Sequence, residues 1–116
     1  MFSKKKLEID QQAISTILSV GSVVEGNLKA PAFARIDGQI NGDVTIDEGL
    51  ILGEKGGIKG NVNTKQLVVY GTIEGQVTAQ SLEIRATGKI TGDIHTRDLQ
   101  IELGAVYNGN LHMNQE

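Results

Sequence analysis

The chain has no cysteine and no tryptophan, one proline (Pro31), and only two Phe and two Tyr among 116 residues. Without cysteine there is no disulfide framework, no thiolate metal site and no cysteine nucleophile, which fits a cytoplasmic protein. With aromatics at 3%, any core must be aliphatic. Long apolar runs are missing as well. Ala13 to Val20 is too short and too polar to span a bilayer. Lys4-Lys5-Lys6 is followed by Leu7-Glu8-Ile9-Asp10, which interrupts the apolar region a signal peptide needs. The net charge is −3, and no basic face with interleaved aromatics points to nucleic acid. The glycines follow a structural period and not a strand-to-helix turn, so neither a phosphate-binding loop nor a dinucleotide fingerprint is present. Ser15, Ser19, Ser22 and Ser81 have no His/Asp context. The expectation is a chain of one domain length that is not an enzyme and takes no cofactor, metal or nucleotide.

What the chain has is glycine, fifteen of them, and a repeat built around it. An aliphatic, any residue, Gly, a polar residue and a second aliphatic occur as Val24-Glu25-Gly26-Asn27-Leu28. The pattern returns from Ile40 to Val44, Ile58 to Val62, Ile73 to Val77 and Ile90 to Ile94, and in degenerate form as Tyr107-Asn108-Gly109-Asn110-Leu111. The central glycines are 26, 42, 60, 75, 92 and 109, giving steps of 16, 18, 15, 17 and 17 residues. A period of this size marks one supersecondary unit stacked on copies of itself. A second apolar element follows each first one by five or six residues: Ala34-Arg35-Ile36, Leu50-Ile51-Leu52, Leu67-Val68-Val69, Leu82-Glu83-Ile84 and Leu99-Gln100-Ile101. Apolar residues two apart lie on one face of a strand. Gly, Asn and Asp break these strands at corners.

Stacked copies form columns. Ile40, Ile58, Ile73 and Ile90 make one, and Val44, Val62, Val77 and Ile94 a second. Leu50, Leu67, Leu82 and Leu99 make a third, and Leu52, Val69, Ile84 and Ile101 a fourth. One winding cannot bury its own face, so the core exists only along the stack. The predicted architecture is an all-β, single-stranded parallel β-helix of about six windings, roughly 30 Å tall at about 4.8 Å per winding. By strand alternation Ile51, Val68, Glu83 and Gln100 face outward, and they form no row of one residue type. The repeated Gly either faces inward at a narrow corner or allows a bend. Asp43 and Asp93 share one repeat position, but Asn27, Asn61, Gln76 and Asn110 fill it elsewhere, so it reads as corner chemistry in which Asx side chains bond nearby backbone. His95 and His112 read as solvated histidines in non-equivalent surroundings.

The N-terminus differs from the rest. Met1-Phe2-Ser3-Lys4-Lys5-Lys6 sets one large apolar side chain beside three positive charges. The first twelve residues balance three Lys against Glu8 and Asp10, for +1; from Ala13 onward 8 basic and 12 acidic residues give −4. The plain reading is a solubilising tail. The sharper one is a peripheral anchor to an anionic membrane surface, in which Phe2 inserts and each Lys adds about 1 kcal/mol. The ends of the stack are expected to be poorly capped, since five residues follow Leu111 and Ala13 to Val20 offers one short cover. Uncapped strand edges pair with one another.

The tip together with repeats such as Gly38-Gln39-Ile40-Asn41-Gly42-Asp43-Val44 resembles the bactofilins, a family of bacterial cytoskeletal proteins. The resemblance covers roughly residues 16 to 111 and the first six residues. It implies a right-handed, three-sided β-helix that polymerises end to end, without nucleotide, into non-polar filaments. It also implies a membrane-targeting tip (Met1, Phe2, Ser3, Lys4, Lys5, Lys6) at the inner face of the cell membrane. The filaments would scaffold client proteins in cell-shape, envelope or motility processes. Residues 1–15 then form a tail, 16–112 the β-helix and 113–116 a second tail. Family members often carry a terminal-winding Phe needed for assembly; here no Phe lies past Phe33, and Tyr107, Leu111 and Met113 are the nearest substitutes. The polymerisation interface is expected at Val24, Leu28, Phe33, Tyr107, Leu111 and Met113. Two other classes stand beside this one. A monomeric binding solenoid would want a repeated outward row. A left-handed β-helix acyltransferase would want a regular hexapeptide beat, against which the uneven steps argue.

Overall fold

The computed structural model describes residues 14–114. Among them every regular element is a strand, and every strand pairing is parallel. The chain winds as a parallel β-solenoid of about six turns. One face stacks β2 (Val23–Glu25), β5 (Gln39–Asn41), β7 (Gly57–Lys59), β9 (Thr72–Glu74), β11 (Lys89–Thr91) and β13 (Val106–Asn108) in that order. The second sheet is built on the long strands β6 (Val44–Leu52), β8 (Val62–Val69), β10 (Val77–Ile84) and β12 (Ile94–Ile101), along which the inward alternation changes phase, in β8 from Val62 and Thr64 to Leu67 and Val69. The first halves of these long strands continue to β3 (Leu28–Ala30) at one end and β14 (Leu111–Met113) at the other. The second halves continue through β4 (Phe33–Ile36) to β1 (Thr16–Leu18). Ala13 to Val20 is expected to offer one short cover; within it the structure uses Thr16–Leu18 as a paired strand, and Ala13 lies outside the described residues.

The uneven period is absorbed at corners. The 18-residue step carries an extra residue between Ile46 and Gly49, where the register with β8 shifts. The strands on either side remain aligned, so each column keeps its side chain in place. Ile40, Ile58, Ile73 and Ile90 are buried in register, as are Val44, Val62, Val77 and Ile94. Leu50, Leu67 and Leu82 are buried too, and Leu99, in the last winding, is half-buried. Burial of each aliphatic side chain contributes roughly 1.5–3 kcal/mol. The fourth column was expected to be core throughout, and Leu52, Val69 and Ile84 are. Ile101 is 48% exposed, because among the described residues β14 pairs only with the first half of β12 and no strand stacks on the second.

The repeated glycine makes a bend and does not fill the core. Gly26, Gly42, Gly60, Gly75, Gly92 and Gly109 all hold φ between 130° and 157°, a conformation that glycine alone adopts without strain. In the first three copies the polar slot after the glycine bonds farther than expected. Asn27 Oδ1 accepts the Asp43 N–H at 2.8 Å, Asp43 Oδ1 accepts that of Asn61 at 3.0 Å, and Asn61 Oδ1 accepts that of Gln76 at 3.1 Å. These bonds tie one winding to the next. Asp43 is thus occupied in holding the stack together.

The outward wall also departs from simple alternation. Ile51 and Val68 point away from the core, yet a second apolar cluster with Ile14, Phe33 and Tyr70 covers them. Glu83, next in that column, is 9% exposed, and its carboxylate lies 3.8 Å from the Arg85 guanidinium. Arg85 reaches Glu102 at 3.0 Å and stacks over the Tyr70 ring at 5.2 Å. Nor are the histidines in non-equivalent places. His95 and His112 are register partners one winding apart, and their rings stack with centroids 4.5 Å apart and 8° between planes.

Candidate functional site at the two ends of the stack

The fold concentrates unmet bonding capacity at its ends. Among the described residues β1, β2 and β3 each have one neighbour, and so do β13, β14 and the second half of β12. A strand with one neighbour presents a row of unpaired backbone groups along its free side. The side chains there are apolar. At the first end Val24 and Leu28 are half-buried beside Leu18, while Ile17, Val20 and Val23 are more than 60% exposed. At the other end Leu99 and Tyr107 are half-buried, and Ile101, Leu103, Val106, Leu111 and Met113 are exposed.

Of the expected interface residues, the structure brings Val24 and Leu28 to one end and Tyr107, Leu111 and Met113 to the other. Phe33 is apart from both groups. It sits on β4, between β1 and β6, and packs on the outer wall over Ile51 and Val68. Residues the sequence reading did not assign to the ends are Ile17, Val20, Val23, Ile101, Leu103 and Val106. The signal for them was present: each is an aliphatic in the first or last copy at a place where inner copies carry polar or small residues or a covered aliphatic. Met1, Phe2, Ser3, Lys4, Lys5 and Lys6 lie outside the described residues.

Tyr107 ends the isoleucine column, directly over Ile90. Its ring covers the column, and its hydroxyl sits 2.9 Å from the Gly92 carbonyl oxygen and 2.7 Å from that of Asn110. Burial, with the nearby Asp93 carboxylate, raises its pKa above the ordinary phenol value. The residue acts as a partial lid that one hydrogen bond holds down.

Elsewhere the surface offers little chemistry. A furrow of about 590 Å³ runs past Thr45, Asn63 and Thr78, with Asp47, Lys65 and Arg97 also in its lining. Among the described residues no three His, Cys, Asp or Glu gather to hold a metal ion, and no helix is long and apolar enough to cross a membrane.

A family model described as bactofilin, polymer-forming cytoskeletal, matches residues 16–112. The chain belongs to the bactofilin family. It is 27% identical to bactofilin BacP of Myxococcus xanthus (strain DK1622) over 114 residues, which are 97% of this chain and 48% of BacP. It is 22% identical to BacO of the same strain over 103 residues, 88% of this chain and 82% of BacO. The bactofilin thus spans about half the length of BacP. Among solved structures it is similar to the Thermus thermophilus bactofilin in double helical filaments, with a TM-score of 0.80 and 27% identity over 86% of this chain and all of that one. It is also similar to the cytoskeletal bactofilin BacA solved by solid-state NMR, with a TM-score of 0.78 and 30% identity over 86% of this chain and 96% of that one. The family is a structural, cytoskeletal one and not a class of enzymes.

Proposed function

We propose that this bactofilin assembles end to end into nucleotide-independent filaments, held to the inner face of the cell membrane by its N-terminal tip, where they scaffold other proteins. The observation that carries this reading is the pair of open ends. Among the described residues each presents three strand edges without a partner around an apolar core that nothing covers, and another such end satisfies both at once. Self-association is further supported by the filament form in which the Thermus relative was solved. Like-to-like contacts at both ends still build an endless polymer, because each copy has two ends.

Electron microscopy of the purified full chain in nucleotide-free buffer is the direct test, with filaments as the expected result. Leu111→Asp places a charge on the exposed end strand β14. It is expected to leave folded, short oligomers, because the inner columns are untouched. Long filaments from Leu111→Asp would move the contact away from β14. A chain that stays monomeric at every concentration sinks the reading.

A further inference from the structure

The four longer corners between β1 or a long strand and the next short strand share one turn. Ser22, Gly56, Gly88 and Ala105 each donate their N–H to the carbonyl three residues back, on Ser19, Gly53, Arg85 and Glu102. The second residue of the turn is Val20 in the first winding and Leu103 in the last, but Glu54 and Ala86 in between. The strand that follows shows the same contrast. Its outward wall position runs, in register, Val23, Gln39, Gly57, Thr72, Lys89 and Val106. Outward positions at this corner are therefore apolar in the terminal windings and polar or small in the inner ones. Val20 is 62% exposed, Val23 61%, Leu103 94% and Val106 44%. None of the four is among the buried core residues, and Leu103 is almost wholly in solvent.

We infer that Val20 with Val23, and Leu103 with Val106, form an apolar rim that seals the outside of the joint between copies of this chain. The occupant is the end winding of a second copy. Val23 and Val106 lie on β2 and β13, whose free edges offer backbone groups that a further strand satisfies. The rim is continuous with the open core face on those same strands, so a strand that docks there brings its own outward residues alongside. At such a joint, apolar outward residues exclude water from the new backbone bonds, where a Lys or Gln would hold it. The inference rests on the end-to-end reading and adds to it: the wall, and not only the core face, decides whether ends join.

The molecule supplies its own replacements. Glu54 occupies the turn position of Leu103, and Lys89 the wall position of Val106, so Leu103→Glu with Val106→Lys uses residues the fold already carries there. The full chain with both changes is expected to melt like the unaltered one. Its critical concentration for filaments, read by sedimentation and electron microscopy, should rise at least tenfold. With the other end intact, the remaining species is a dimer if like ends meet and a monomer if unlike ends meet; either supports the rim. Leu103→Glu alone, at a side chain almost free of contacts, keeps the test valid should the double variant lose stability. Thr72→Lys, in the middle of the same wall column, should leave assembly unchanged. Filaments of normal length and critical concentration from the double variant and from Leu103→Glu overturn the inference, as does an equal loss from Thr72→Lys. If the unaltered chain forms no filaments, the end-to-end reading fails first and the rim with it.

Discussion

Gly75 stands directly over Gly60, both at positive φ (151° and 155°), and a methyl group on Gly75 would overlap the Gly60 carbonyl oxygen. The same relation repeats up the corner, from Gly42 over Gly26 to Gly109 over Gly92. Two separate effects follow, and they are separable by position. At Gly26 nothing lies within 4 Å of an added carbon, so only the backbone conformation resists a side chain. Gly26→Ala should therefore lose about 1–3 kcal/mol. Gly75→Ala has to shift the backbone of the preceding winding at Gly60 as well and should lose more than about 4 kcal/mol. Urea unfolding of the two variants compares them, and equal losses would mean that conformation alone demands the glycine.

Inside and outside are best tested on neighbours. Ile73 is completely buried in the isoleucine column, so Ile73→Asp puts an unpaired carboxylate into an aliphatic stack and should unfold the protein at a loss of several kcal/mol. Thr91, exposed beside Glu74 in register, should accept Lys with little change. Glu83 is the intermediate case. Alternation alone makes it a free surface residue and Glu83→Lys neutral. In the structure it is packed beside Val68 and near Arg85, so Glu83→Lys sets two cations together in a crowded place and should lose roughly 1–3 kcal/mol. Circular dichroism melts of the three variants rank them; a neutral Glu83→Lys would show that the wall there is open to solvent.

Glu83 also marks where sequence reasoning stops. Ile40, Val44, Leu67 and their columns were legible because a strand's period of two and the repeat's recurrence point to the same face. Ile51 and Val68 obey the alternation too, but what covers them is Phe33 and Tyr70, each present in only one copy. A repeat pattern carries no information about a contact made once. The histidine pair was legible in principle: His95 follows Ile94 as His112 follows Leu111, and the degenerate last copy hid the match. The ends were legible as open, but their extent was not. Ile101 belongs to a core column by pattern and is exposed only because the stack stops above it.

Tyr107 should make the last winding sensitive to alkaline pH. Its burial and the Asp93 charge both favour the neutral phenol in the folded state, so its folded pKa lies above the unfolded value of about 10. The stability it contributes is fully present below about pH 10 and is lost as pH rises through the higher folded value. Tyr107→Phe removes that dependence together with the hydroxyl's bond to the Gly92 or Asn110 carbonyl. The variant should be less stable at neutral pH by about 1 kcal/mol, and the gap should narrow above about pH 10. Parallel urea titrations at neutral and alkaline pH give both quantities. A gap that widens with pH would reverse the assigned cause.

The tip should tether filaments to anionic membranes. Phe2 stands beside Lys4, Lys5 and Lys6, ahead of a polar stretch from Glu8 to Gln12, and all of it precedes the family-matched region 16–112. Near an anionic surface each Lys contributes about 1 kcal/mol, so one tip binds weakly. A filament carries many tips on one body and should bind strongly by avidity. The charge contribution fades with salt; the insertion of the Phe2 ring does not. Phe2→Ala should therefore weaken liposome co-sedimentation at every salt concentration. Lys4, Lys5 and Lys6→Gln should reproduce the effect of high salt on the unaltered chain. Filament formation should survive both changes, because the tip precedes the family-matched repeats of residues 16–112. If a chain starting at Ala13 sediments with anionic liposomes as fully as the whole one, the tip is no anchor and the membrane part of the proposed function falls, leaving the filament itself untouched.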